Sequence, residues 1–318
     1  MKLFIIGGAG YIGSHMVKLA YENGHEVITL DNLSTGHKDS VLYGKFEYCD
    51  IQDSNRLNEL FKKYNPDAVM HFSAYSIVGE STIDPYKYYY NNTVGTLNLL
   101  KIMIDNDCKN FIFSSTAAVF GNPEYIPIDE THPKNPINPY GKSKLMVEQM
   151  LEDFDSAHGL KYVVFRYFNA AGHDKSGKLA ERHDPETHLL PLVIQTLNGQ
   201  RESISIYGSD YDTKDGTCIR DYIHVNDLAQ VHLQGVEYLL SGDNGSKVYN
   251  LGSGNGFSVK EIIEKVKGIT GKDFKVIEDE RREGDPAVLI ASSKRAKKEL
   301  GFSPKIDKID DIIRTLIN

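Results

Sequence analysis

The stretch FIIGGAGYIGSH, residues 4–15, constrains the fold of this 318-residue chain more than any other segment. An apolar run, Leu3 to Ile6, leads into Gly7, Gly8, Gly10 and Gly13, and an amphipathic stretch from Tyr11 to Tyr21 follows. That order predicts strand, tight turn and helix. Glycines let the backbone turn sharply and approach a ligand, while the helix N-terminus aims unpaired N–H groups at an anion. A dinucleotide pyrophosphate suits such a turn.

The next apolar run, Glu26 to Leu30, ends in Asp31. That is about twenty residues after the glycines, where a dinucleotide fold sets a carboxylate against the adenosine ribose hydroxyls. A carboxylate there repels a 2′-phosphate, and no basic residue follows until His37 and Lys38. NAD is therefore expected rather than NADP.

Short β-rich runs alternate with helical patterns through the first half. Strands are expected at Leu3–Ile6, Glu26–Leu30, Lys45–Tyr48, Ala68–Phe72, Asn110–Ser114 and Tyr162–Tyr167, with helices at Gly13–Asn23, Ser54–Tyr64, Pro85–Asn106 and Pro139–His158. The alternation implies an α/β fold, a Rossmann-type doubly wound parallel sheet with ligands beyond the carboxyl ends of its strands. It stops near residue 170, where a polar stretch precedes an expected helix at Leu189–Asn198 and a strand at Ser203–Tyr207. The expected division is residues 1–170 for the cofactor and a smaller α/β substrate domain at 171–318. Segments near 220–253, with the strand-like KVYNLGSG (247–254), are expected to rejoin the first part.

Composition excludes several classes. Apolar content of 40% and charged content of 25% are those of a globular protein. No run reaches the eighteen or so apolar residues of a membrane span, and the N-terminus enters a strand directly, so a cytoplasmic enzyme is expected. A formal charge of −8 argues against a nucleic-acid partner, whose phosphates require a basic surface. Cys49, Cys108 and Cys218 suggest neither a disulfide framework nor zinc binding. His183 and His188, five apart beside Pro185, read as solvated loop histidines, and no metal site is expected.

NPYGKSKLMVEQM places Tyr140 and Lys144 four apart, just after Pro139. Proline favours a first helical position, and i,i+4 spacing brings both polar tips to one face. A lysine beside a phenol favours the phenolate, so the tyrosine becomes a base near neutral pH. The fifth expected strand runs into Ser114, Ser115 and Thr116, hydroxyls positioned to donate to a sugar oxygen.

GGAGYIGSH, LDNLSTG, HFSAYSIVGES, YYNNTVGT, FSSTAAVFG, PYGKSKLMVEQ, RYFNAAG, DGTCIRDYIHV and RREGDPA occur in one order along nearly the whole chain. In these the chain resembles the extended short-chain dehydrogenase/reductase superfamily and, within it, the UDP-glucose (UDP-galactose) 4-epimerases. The resemblance implies Tyr140 as the base at the sugar 4-hydroxyl, Lys144 as the residue tuning it and holding the nicotinamide ribose, and Thr116 at the family's Ser/Thr position. Gly7, Gly10, Tyr11, Ile12 and Gly13 would hold the pyrophosphate, Asp31 and Asn32 the ribose, and Asp50 and Ile51 the adenine. Phe72, Asn91, Tyr167 and Phe168 would make further cofactor contacts. For a UDP-sugar substrate it implies Asn169, His188, Leu189, Tyr207, Arg220, Arg282, Asp285 and Leu289. Arg281, by contrast, reads as a surface ion pair.

Departures narrow the reading. Ser76 stands where some members carry lysine, and His188 replaces an asparagine. Leu289 is intermediate at a position where a bulky tyrosine goes with exclusion of N-acetyl sugars, so acceptance of UDP-GlcNAc and UDP-GalNAc is expected. A 4,6-dehydratase needs an acid and a base where Ala117 and Ala118 stand. A UDP-pentose 4-epimerase remains open, as does, less favoured, a non-enzymatic NAD-binding sensor. The resemblance also implies a homodimer through Pro85–Asn106 and Pro139–His158; the tyrosines of YKYYYNN (86–92) suit such an interface or the monomer interior equally.

Overall fold

The computed structural model describes residues 1–242, 244–282 and 284–317. Six strands of the first half are β1 (Lys2–Ile6), β2 (Glu26–Asp31), β3 (Lys45–Tyr48), β4 (Ala68–His71), β5 (Asn110–Thr116) and β6 (Lys161–Tyr167). With the strand Lys247–Leu251 they form a parallel sheet in the order Lys247–Leu251, β6, β5, β4, β1, β2, β3. The order reverses between β1 and β4, which opens a crevice at their carboxyl ends.

β1 is apolar at every position after Lys2 because both its faces are covered. Leu3 and Ile5 pack with Met16, Val17 and Ala20 of the helix Tyr11–Glu22 and with the helix Val225–Leu240. Phe4 and Ile6 face the helices Ser54–Tyr64, Thr96–Asp105 and Pro139–His158 through Leu57, Leu60, Leu99, Leu100, Val147 and Leu151. A separate apolar cluster joins Leu190, Val193, Ile204, Ile262, Ile263, Ile312 and Ile313 in the C-terminal part.

Two departures from the expected elements matter for the site. β5 runs on to Thr116, held in register with Tyr167 of β6. The expected continuous helix Pro85–Asn106 is instead Pro85–Tyr88, a π-helical turn at Tyr89–Gly95, and Thr96–Asp105. Periodicity cannot register one extra residue in a turn, and π turns are frequent at functional sites. Here the turn buries Asn92, whose side chain accepts from Tyr75 N at 3.0 Å and donates to Tyr75 O at 2.9 Å. Asn91 is left facing the cavity. Gly95 closes the turn against Ile51, where a Cβ would lie 2.5 Å from the Ile51 side chain.

The chain leaves the C-terminal part along Ile219–His224, crosses through Val225–Leu240, adds Lys247–Leu251 to the sheet and returns. Asp221, fully buried, pins that return by accepting from the backbone N–H groups of Ser253, Gly254 and Ala291. Among the described residues no helix is long and apolar enough to cross a membrane.

Candidate active site

The glycine turn sits over the carboxyl end of β1. Gly7 has φ +77°, and a Cβ on it would lie 2.5 Å from Ser73 N; one on Gly13 would lie 2.2 Å from Gly7 O. Gly10 caps the helix Tyr11–Glu22 with no side-chain hydrogen bond, so the first-turn N–H groups keep their capacity for an anion. Asp31 is buried, and this raises its affinity for a proton; the N–H groups of Leu33 (2.7 Å) and Ala9 (2.9 Å) act the other way. Free N–H groups to donate to a pyrophosphate, beside a carboxylate to accept from a ribose diol, are the pairing that NAD requires. Asn32, Phe72 and Asn91 line the same cavity. Asp50 and Ile51 do not: Asp50 accepts from Asn32 (2.8 Å) and the Gln52 N–H, and Ile51 is packed in the core.

The cavity, of about 620 Å³, runs from this turn to the C-terminal part. Asn138 caps the helix Pro139–His158 by accepting from Gly141 N at 2.9 Å, which puts Pro139 in the first turn and turns Tyr140 and Lys144 inward. Thr116 meets them from the end of β5. Burial lowers Lys144 to about 7, with the Glu148 carboxylate opposing; its ammonium donates to Ser114 O at 2.9 Å and lies 4.9 Å from the Phe113 ring centre. Burial pushes Tyr140 up to about 12, and the Thr116 hydroxyl moderates this. The lowering of the phenol expected from its lysine neighbour is therefore not what this arrangement gives. The ammonium is engaged by Ser114 and Phe113, and desolvation dominates at Tyr140.

Tyr167 and Phe168 complete this part of the wall, with the Tyr167 hydroxyl hydrogen-bonded to Ser114. Behind it lies a pair that the motifs do not announce. Glu148, one helical turn past Lys144, accepts from Arg166 Nε (2.9 Å) and Nη2 (2.6 Å) and from Ser115 Oγ (2.6 Å), with both charged side chains buried. Its i,i+4 relation to Lys144 is the sequence signal that could have found it.

Asn169, Leu189, Tyr207, Arg220, Arg282, Asp285 and Leu289 line the far end. Arg220 and Arg282 share Asp285 at 3.4 and 3.2 Å, and Arg282 stacks over Tyr207 with its guanidinium carbon 4.6 Å from the ring centre. Two fixed guanidiniums here can hold a diphosphate. Arg281 turns outward to Asp210 at 2.6 Å.

His183 and His188 are not solvated loop histidines. Both are half-buried, line the cavity, and turn their Nδ1 atoms onto Glu181 and Glu186, whose side chains are only 2% and 5% exposed. Burial lowers both histidines, but the two carboxylates outweigh it and raise His183 to about 9 and His188 to about 10. The alternation of acids and histidines in ERHDPETH is the signal that histidine spacing alone overlooks.

Residues 3–252 match the NAD dependent epimerase/dehydratase family. The UDP-glucose 4-epimerase of Halalkalibacterium halodurans is 49% identical over 314 residues, which span 98% of this chain and 93% of that protein. The crystal structure of UDP-glucose 4-epimerase from Brucella ovis in complex with NAD superposes with TM-score 0.96 at 47% identity, over 99% of this chain and 96% of that one. The UDP-Glc/GlcNAc 4-epimerase of Campylobacter jejuni gives TM-score 0.86 at 43% identity, over 99% and 98%. By sequence and by fold, the chain belongs to the NAD dependent epimerase/dehydratase family.

Proposed function

We propose that this chain is an NAD-dependent UDP-glucose/UDP-galactose 4-epimerase that inverts C4 through a transient 4-keto sugar. The observation that carries the reading is one cavity joining the glycine turn and Asp31, the Thr116–Tyr140–Lys144 group, and the Arg220–Arg282 pair. NAD, when bound, supplies a reversible hydride acceptor for the sugar C4. Gly7, Gly10, Gly13 and Asp31 hold it in place. Tyr140 removes the proton of the 4-hydroxyl and returns one to the oxygen after the keto sugar has turned its other face. Tyr140 accepts that proton as the phenolate, a form burial disfavours, so a protonated Lys144 beside it is required, and Thr116 donates to the sugar oxygen. Arg220 and Arg282 grip the diphosphate, which leaves the sugar free to rotate about it. With no net oxidation, the cofactor stays bound between turnovers.

Leu289 pairs with Arg220 in the sheet at the sugar end, and leucine there leaves more room than tyrosine. We infer that N-acetylated UDP-hexoses are substrates as well. The far apolar cluster supports a division into a cofactor part, residues 1–170 with segments near 220–253, and a sugar-nucleotide part in 171–318. Tyr86 (72% exposed), Tyr90 and Met146 are exposed apolar side chains on the two helical segments read as a homodimer interface, and Ile83 (85%) lies just before the first of them. Three free, buried cysteines suit a reducing cytoplasm.

The test is conversion of UDP-galactose and of UDP-GalNAc by purified protein with no NAD added, with products resolved by NMR. Conversion of both is expected. Activity on UDP-galactose alone sinks the broad specificity, and activity on neither, even with NAD supplied, sinks the epimerase. Elution as a monomer at every concentration in size-exclusion chromatography would overturn the dimer.

A further inference from the structure

The segment between Gly172 and the helix Leu189–Leu197 brings four side chains together in a way the epimerase chemistry does not use. We propose that Glu181, His183, Glu186 and His188 form a four-coordinate site for a divalent transition-metal cation, Zn2+ foremost, which closes this segment on itself beside the cavity.

The geometry is close to that of a filled site. One donor atom from each residue lies within 4.8 Å of all the others. His183 Nδ1 is 3.1 Å from Glu181 Oε1 and 3.8 Å from Glu186 Oε2; His188 Nδ1 is 2.8 Å from Glu181 Oε1 and 3.2 Å from Glu186 Oε1. Ligands about 2.0–2.2 Å from a tetrahedral zinc stand roughly 3.3–3.6 Å from one another, a spacing these separations bracket. Small side-chain shifts therefore suffice to admit the ion.

Hydrogen bonds alone serve the cluster poorly. Both Nδ1 atoms converge on the same Glu181 oxygen, and His183 Nδ1 is buried with no hydrogen bond of its own. Glu186 Oε1 is already oriented by the backbone N–H groups of Thr187 (2.8 Å) and His188 (2.9 Å), as an outer shell orients a ligand. Among the described residues no lysine or arginine pairs with Glu181 or Glu186, and Arg182, between them in sequence, turns away to Asp39. Without an ion, the two nearly dry carboxylates are balanced only by holding a proton on each half-buried imidazole. A divalent cation cancels both carboxylate charges with one ion.

The donor set selects the metal. Two imidazole nitrogens and two carboxylate oxygens suit zinc among the first-row ions, whereas magnesium and calcium prefer oxygen alone. All four positions come from the protein, so the site is closed and its role is structural.

Chelator-treated, dialysed protein is titrated with Zn2+ by calorimetry and with Co2+ by visible absorption, and melting is followed with and without Zn2+. Expected are one equivalent bound, the intense visible bands of tetrahedral Co2+, and a higher melting temperature with Zn2+. Glu181→Gln and His183→Asn each weaken Zn2+ binding by at least the ~10–100-fold that loss of even an outer-shell partner costs. Far-UV circular dichroism confirms that both variants fold, and His25→Asn, far along the chain, controls for adventitious histidine binding. Absence of stoichiometric binding to the wild type, the pale spectrum of octahedral Co2+, or binding undiminished in both folded variants would overturn the site.

Discussion

Replacing Glu148 by glutamine tests whether the ion pair behind the site also sets the protonation of Lys144. Glu148 and Arg166 are 2% and 3% exposed, and the carboxylate takes contacts of 2.9, 3.2 and 2.6 Å from the guanidinium. A glutamine keeps the shape and removes the charge, so Arg166 is left buried without a counter-ion, at a cost of about 3–5 kcal/mol. At roughly 2–4 °C per kcal/mol for domains of this order, melting should fall by ~6–20 °C. A second effect reaches the site. Burial holds Lys144 at about 7, and the Glu148 charge opposes that lowering, so its loss takes the lysine lower still. Less of Lys144 is then protonated at neutral pH, and the alkaline limb of kcat/KM moves to lower pH.

Adding Arg166→Leu to Glu148→Gln separates the two effects. The double variant should regain much of the melting temperature, because no unpaired charge remains, yet keep the shifted pH profile. Melting within ~2 °C of the wild type in Glu148→Gln, together with an unmoved pH profile, would refute the reasoning.

Acid should destabilise the fold in a defined window. Burial lowers His15, His224 and His232 to about 4 and His71 to about 3, so the folded chain binds fewer protons than the unfolded one below the ordinary histidine value of 6.5. The stability is complete above pH 6.5 and is lost as pH falls towards 4, by about 3 kcal/mol for each of these groups. His232→Leu should flatten the pH dependence of the denaturant midpoint across that window by one proton's worth, and an unchanged slope would count against it. Gly7→Ala, with φ +77° and a Cβ 2.5 Å from Ser73 N, should abolish retention of NAD through purification, read as nucleotide released on denaturation; full retention would show that the turn tolerates a side chain. Leu289→Tyr should depress turnover of UDP-GalNAc by tenfold or more, about 1.4 kcal/mol, while sparing UDP-galactose; equal loss on both would sink the gating role.

Much of the site was legible because its logic is local. The glycine turn, Asp31 at the end of β2, and Tyr140 four residues before Lys144 each depend on one element's period and one turn's sterics, which residue types report directly. The π turn at Tyr89–Gly95 escaped, because it follows from Asn92 bonding to Tyr75 and Gly95 fitting against Ile51, contacts between segments distant in sequence. The proton affinities of Tyr140 and Lys144 escaped for a related reason: spacing reveals that two groups are neighbours, while only packing reveals how dry they are and that Lys144 turns to Ser114. His183 and His188 show the same limit most plainly. A linear pattern placed them in solvent, and the folded chain turned them onto two buried carboxylates. By itself, then, the sequence determined the parallel sheet, the glycine turn and the placing of Tyr140 and Lys144 on one helix face, since periodicity and backbone sterics act over a few residues. Charge state, cavity shape and the Glu181–His188 cluster were decided by the tertiary structure, because desolvation and electrostatic pairing depend on what the rest of the chain brings within a few ångströms.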